Sequence, residues 1–299
     1  MEIFTTIGQY CDFFGKLLLH PLVSVVEFNN ADQVREATIN WGFYAMFLKE
    51  TKGCVINYGK TEYDFDAMSV VCIGPGQTTR ISKVPNGTEP PRSIGLLFHP
   101  DLLFRTSLAG KISRYTFFSY ESYEALHLDE NERQLVTDIF NHIQNELSCQ
   151  PDQFSRQLTV SNIELLLDYC LRFYSRQFDI RKPLNDGIMS RFESLLDDYI
   201  HSSEISELGI PNVKYFADKV ALSPNYFGDL VKRSTGQTAQ EYIHRKLLSH
   251  AKLQLLQGTK NVTEIAYSLG FQYPQHFIRF FKNKVGVTPR QFITQNSRE

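Results

Sequence analysis

A chain of 299 residues, 42% hydrophobic and 21% charged, is long enough for two domains that each bury a core. No stretch approaches the roughly 20 apolar residues of a membrane span, and the N-terminus lacks the basic-then-apolar order of a signal peptide, so a cytoplasmic protein with no membrane partner is expected. The net charge of −2 conceals 13 Lys/Arg against 5 Asp/Glu from Val213 onward and 18 against 28 before it, an asymmetry that suits a nucleic-acid-binding module joined to something else, or simply a solvated basic surface.

Up to about residue 125, short apolar runs alternate with turn residues. The runs are Val23–Phe28, Phe43–Leu48, Gly53–Ile56, Ser69–Ile73, Ile94–Phe98 and Arg114–Phe118; Gly74-Pro-Gly76, Pro85-Asn-Gly87 and Pro90-Pro91 punctuate them. Many short strands at close spacing predict an all-β barrel or sandwich, a fold that can hold a small ligand. The aromatic side chains around Trp41, Phe43 and Tyr58 are candidates for lining such a site, and equally for core. A metal-dependent enzyme of this shape needs several histidines converging on one ion. Here only His20 and His99 lie near strands, without a His-x-His pair, and His99 before Pro100 reads as a turn cap. The five cysteines (Cys11, Cys54, Cys72, Cys149, Cys170) contain no CxxC pair, which argues against a disulfide framework or zinc knuckle and for a reducing compartment. No phosphate loop or nucleophile elbow appears. The chain reads as not an enzyme, with no metal and no cofactor.

From Asp129 the apolar spacing becomes helical: Leu135, Val136, Ile139, Phe140, Ile143 and Leu147, then Ile163, Leu166, Leu167, Cys170 and Tyr174, with Glu164, Asp168 and Arg172 on the opposite face. Pro151-Asp152 separates the two helices, and Asp152 is placed to cap the second. The stripes pack on their own domain or, in part, meet a second copy as a homodimer. The polar segment 179–188, with its Pro and Gly, reads as a linker between a domain at 1–178 and another at 189–299.

The second domain repeats itself. Val213, Phe216, Ala217 and Val220 match Val262, Ile265, Ala266 and Leu269 at an offset of 49; Phe227, Leu230, Val231, Lys232, Gly236 and Thr238 match Phe277, Phe280, Phe281, Lys282, Gly286 and Thr288 at 50. Each copy, at about 213–234 and 262–285, reads as a helix, a tight turn and a second helix, the arrangement that places one helix in a DNA major groove. In the first, Ser223 caps and Pro224 opens the second helix. Asn225 and Asp229 are then candidates for base contacts, and Ser223, Lys232 and Arg233 for the DNA backbone. In the second copy Gln275, Ile278 and Arg279 are candidate base readers, and His276, Lys282 and Lys284 backbone contacts. A helix from Thr238 to Leu256 joins the copies and spans about 28 Å, which suits two recognition helices about 34 Å, one DNA turn, apart.

Ile265-Ala266 with Leu269-Gly270-Phe271, and Phe277-x-x-x-Phe281-Lys282-x-x-x-Gly286-x-Thr288-Pro289-x-x-Phe292, resemble the AraC/XylS family of bacterial transcription regulators over roughly residues 192–296. The resemblance implies an all-α DNA-binding domain of two helix-turn-helix units joined by a long helix. It also implies an N-terminal cupin-like barrel with dimerising helices, giving a multidomain, sequence-specific regulator. Double-stranded DNA, a small-molecule effector, a second copy and RNA polymerase are the partners expected of it. Gly228 and Asp229 depart from the longer polar or basic readers of several relatives. Two other classes stay open: a metal-dependent enzyme or DNA-repair alkyl acceptor fused to the DNA-binding module, and a non-specific architectural protein.

Overall fold

The computed structural model describes residues 2–29, 37–49, 54–58, 61–65, 68–81, 92–121 and 124–296, with 54–58 and 61–65 described as backbone only. The chain divides into two compact units, Met1–Arg181 and Lys182–Glu299.

The first unit begins with β1 (Glu2–Phe4) and α1 (Ile7–Phe14), followed by β2 (Val23–Phe28), β3 (Ala37–Trp41), β4 (Tyr44–Lys49), β5 (Cys54–Tyr58) and β6 (Thr61–Phe65). Then come β7 (Ser69–Ile73), β8 (Thr78–Ile81), β9 (Ser93–Phe98) and the two-residue β10 (Leu126–His127). The larger sheet has the order β10-β7-β4-β9-β2, antiparallel throughout; β1, β3 and β8 form a second sheet, and β5 pairs with β6. β4 lies at the centre of the larger sheet, and its Ala45–Leu48 are all buried, which is why it reads as one unbroken apolar run. Opposite Phe47 in the register stands Gly95, where a Cβ would lie 2.5 Å from the Phe47 ring. Glycine there makes room for the aromatic. Among the described residues no sheet closes on itself; the five-stranded sheet has β2 and β10 as its outer strands, and the three-stranded sheet has β1 and β8.

Arg114–Phe118, expected as a strand, instead folds into successive 3-10 turns, Ile112–Arg114 and Thr116–Ser119. The Tyr115 N–H donates to the Ile112 carbonyl and the Phe118 N–H to the Tyr115 carbonyl, turn bonds rather than ladder bonds, and Tyr115, Phe117 and Phe118 are all buried. Two helices follow, α2 (Glu130–Ser148) and α3 (Ser155–Ile180). Asp129 and Glu132 form a capping box on α2. The Asp152 carboxylate accepts the N–H groups of Phe154 (2.8 Å) and Ser155 (2.9 Å) at the start of α3. The polar side of α3 does not simply face water: Ser107 and Lys111 both hold Glu164, and the Tyr115 hydroxyl donates to Asp168 at 2.8 Å.

The segment expected as a linker is helical. Asp179 and Ile180 finish α3, and Lys182 opens α4 (Lys182–His201), leaving Arg181 as the break. Pro183 sits in the first turn, where its missing N–H costs no helical bond, so the composition that reads as a linker here reads equally as a helix start. The second unit continues with α5 (Glu204–Leu208), α6 (Val213–Lys219), α7 (Pro224–Thr235), α8 (Ala239–Gln257), α9 (Val262–Ser268), α10 (Pro274–Val285) and α11 (Pro289–Asn296).

Candidate nucleic-acid interface

The repeat in the sequence is a repeat in the structure, and most of its helix caps repeat with it. Asn212 accepts the Tyr215 N–H at 2.9 Å to start α6, and Asn261 accepts that of Glu264 at 2.9 Å to start α9. α7 and α10 each open on a proline, and each closes on a left-handed glycine, Gly236 (φ +73) and Gly286 (φ +89), whose N–H returns to the carbonyl of Lys232 or Lys282 at 2.8 Å. Thr238 with Glu241 then starts α8, and Thr288 with Gln291 starts α11, by the same reciprocal bonding.

Each unit is held by an aromatic centre. Phe192 of α4 packs its ring 5.1 Å from Phe216, 5.0 Å from Phe227 and 5.6 Å from Tyr242. In the second unit Phe277 meets Phe271 at 5.4 Å and Phe281 at 5.8 Å, and Phe281 meets Phe292 at 5.5 Å. Phe227, Leu230 and Val231 of α7 are buried, as expected, and Tyr226 joins them. On α10 Phe277 and Phe281 are buried while Phe280 is partly covered, with its ring 5.3 Å from His244. Burying these faces leaves the other face of each helix outward.

On α7 that outward face carries exposed Asn225, Lys232 and Arg233 and half-buried Gly228 and Asp229. On α10 it carries Gln275, His276, Ile278, Arg279, Lys282 and Lys284, all exposed. The structure therefore brings the expected readers together on two helix faces, with one exception. Ser223 is 4% exposed, and its hydroxyl accepts the Tyr226 N–H at 3.2 Å. It is a buried cap rather than a surface donor, because Tyr226 beside it turns into the core. At the matching end of α10 the cap position holds Tyr273, 54% exposed, with no side-chain cap bond and its ring 5.4 Å from His276. Sequence reasoning passed over Tyr273; an aromatic residue at a cap position normally given to Ser, Thr, Asn or Asp was the available signal.

The far ends of both recognition helices approach the start of α8. The Glu241 carboxyl is held below its ordinary range by hydrogen bonds from the Thr238 hydroxyl and N–H, with Lys284 and Lys232 adding to the effect. Burial and the Lys284 charge push His244 below its ordinary value, so this surface gains no positive charge from it near neutrality.

Of the aromatic residues of the first unit named as candidates for a ligand site or for core, the two whose side chains are described are core. Trp41 (2% exposed) and Phe43 (0%) belong to the core with Tyr10 and Phe47, and the Trp41 indole N–H donates to the Thr79 hydroxyl at 2.8 Å. They are core because α1 covers their sheet. The side chain of Tyr58 lies outside the described residues. A cleft of about 480 Å³ does open elsewhere in this unit, between the segment before β2, the first 3-10 turn and the α2–α3 corner, lined by Leu19, His20, Leu102, Glu146 and Arg156. Among the described residues no three His, Cys, Asp or Glu side chains could jointly hold a metal ion, and no helix is long and apolar enough to cross a membrane.

A family model for a helix-turn-helix domain matches residues 216–295. The C-terminal unit is an AraC-type helix-turn-helix domain. Similar proteins include the uncharacterized transcriptional regulatory protein YesN of Bacillus subtilis, 38% identical over 91 residues, which make up 29% of this chain and 25% of YesN. The bifunctional transcriptional activator/DNA repair enzyme AdaA of the same organism is 29% identical over 154 residues, 50% of this chain and 72% of AdaA. Among solved structures, the C-terminal domain of the response regulator yesN from Fusobacterium nucleatum is 26% identical, with a TM-score of 0.32, over 35% of this chain and 96% of that one. The chain thus spans about a quarter of the length of YesN.

Proposed function

We propose that the whole chain is a sequence-specific, DNA-binding transcriptional regulator whose AraC-type domain reads two adjacent major-groove segments. The observation that carries this is the pair of structurally repeated recognition helices, each with its polar face outward and a lysine at its far end. Arg279 suits guanine, Gln275 and Asn225 suit adenine, and Ile278, 38% exposed on a polar face, suits a thymine methyl. Lys232, Arg233, His276, Lys282 and Lys284 supply backbone contacts. The first unit regulates, by pairing two copies or by taking up a small-molecule effector, for which the 480 Å³ cleft is the available space. RNA polymerase is the further partner of such a protein, and the cytoplasm its compartment.

Pairing is supported by α3. Its buried stripe serves its own unit, yet Leu158, Asn162, Leu165 and Tyr169 recur at spacings of four, three and four on the other side, with Leu158 48% and Leu165 46% exposed. That spacing is the seam of a helix pair.

The test is selection of binding sites from random duplex DNA by the full-length protein, then affinity for the winning site against scrambled DNA at about 150 mM salt. Two short blocks about one turn apart, preferred by about 10³-fold or more, are expected. Equal binding to every duplex would show an architectural protein instead.

A further inference from the structure

The outward faces of the two recognition helices share four positions, spaced i, i+3, i+4 and i+7. These are Asn225, Gly228, Asp229 and Lys232 on α7 and Gln275, Ile278, Arg279 and Lys282 on α10. Only the last lysine is common. At each of the other three positions the first unit carries the shorter side chain. At the third the chemistry is also inverted, an acceptor-only carboxylate standing where the second unit has a donor-only guanidinium. Gly228 is not required by the fold. It is absent from the positive-φ residues, and a Cβ built on it meets no atom within 4 Å. A glycine inside a helix weakens it relative to alanine, so the fold alone would favour a side chain here. The space it leaves open lies on the face that the proposed function turns to DNA.

We infer that α7 reads cytosine through Asp229, and that Gly228 lets the helix backbone come close enough to the groove for that short side chain to reach. The inference rests on the proposed function. In the major groove the cytosine N4 and adenine N6 amino groups are the donors, and carboxylates pair with cytosine N4. The acceptors guanine O6 and N7 and thymine O4 repel a carboxylate. The two units then read with opposite polarity: α7 selects a base that donates and α10, through Arg279, one that accepts. A repeated protein module therefore meets a DNA site whose two blocks differ, and that difference sets the direction in which the chain lies on its site.

The test repeats the site selection with full-length wild type, Asp229→Asn, Gly228→Ala and Arg279→Ala. Arg279→Ala marks the block read by α10 as the one whose guanine preference relaxes. In the other block wild type is expected to prefer one cytosine by about fivefold or more, the lower end of what one base contact gives. Asp229→Asn is expected to move that preference to adenine, because an amide pairs with adenine N6 and N7, and to leave the α10 block as it was. Gly228→Ala is expected to raise the thermal midpoint of the free protein while weakening the selected complex several-fold, a combination that a purely structural glycine does not produce. An unchanged base in the first block with Asp229→Asn, or unchanged affinity with Gly228→Ala, overturns the assignment. Enrichment of the α10 block alone overturns it too, while leaving the proposed function standing. If neither block is enriched by wild type, it is the proposed function that fails.

Discussion

Ala221 and Gly270 hold the same turn in the two units, both left-handed, at φ +59 and +79. A residue with a Cβ loses about 1–2 kcal/mol there, so Ala221→Gly is expected to stabilise the helical unit by up to about 1 kcal/mol, net of the backbone entropy that glycine gives up. The exchange in the other direction meets hard contacts. A Cβ on Gly270 would lie 2.4 Å from the Ile205 carbonyl oxygen and 2.9 Å from the Gly209 backbone. Backbone cannot swing aside, so Gly270→Ala should cost at least about 2 kcal/mol. Urea unfolding followed by helical circular dichroism compares the two, and equal effects of both exchanges would contradict the turn geometry. The surface residues divide by a different measurement. Arg279→Ala should cost about 1–3 kcal/mol on the selected site and relax one base position. Lys282→Ala should weaken every duplex alike and lower the slope of log affinity against log salt by about one.

α3 shows how one element serves two surfaces. Val160, Ile163, Leu167, Cys170 and Tyr174 bury into the first unit, while Leu158 and Leu165 stay half exposed on the other side. If that second face pairs copies of the chain, Leu158→Glu with Leu165→Glu should raise the dimer dissociation constant by about 100-fold or more, since two buried leucines contribute about 1.5–3 kcal/mol each. Sedimentation over a range of concentrations reads this, with native Trp41 fluorescence as the check that the unit still folds; unaltered self-association would remove α3 from the interface. The exposed Leu158 and Leu165 escaped sequence reasoning because the buried stripe of α3 is stronger and dominates the periodicity. Elsewhere elements were legible where the local signal and the tertiary demand coincide. Val23–Phe28 and Ser69–Ile73 are short apolar runs between turns and are strands to the residue. Arg114–Phe118 was misread because an aromatic-rich run buries equally well from 3-10 turns, and residues 179–188 because Pro183 suits a helix start as well as a linker. In the interface the readers could be placed by repeat and helical spacing alone. The burial of Ser223 could not, since it depends on Tyr226 packing inward where its counterpart His276 is exposed.

At the scale of the whole molecule, acid should weaken the first unit before its carboxylates are protonated. His127 is 3% exposed, and burial, with Arg181 and Arg176 beside it, lowers its pKa from 6.5 to about 3. Below pH 6.5 the unfolded chain therefore binds a proton that the folded unit refuses. Stability is fully present above that pH and falls as pH drops toward 3. Burial lowers His20 in the same direction. Carboxylates enter only later: Glu164, held below its ordinary 4.5 first by Lys111 and then by Ser107, gives a contribution that is lost only below that value. The interval from pH 6.5 to 4.5 thus belongs chiefly to histidine, and His127 alone should remove roughly 2–3 kcal/mol across it. Trp41 is the chain's one tryptophan and is buried in this unit, so its fluorescence follows the first unit without interference from the AraC-type domain. Urea midpoints read from Trp41 should decline steadily across that interval in wild type. In His127→Gln they should start lower, because a fitted buried side chain has been replaced, and then stay nearly level, with the remaining slope left to His20. An undiminished slope in the variant would mean that His127 takes up its proton in the folded unit as readily as in the unfolded chain, and that burial beside two guanidinium groups does not hold it neutral.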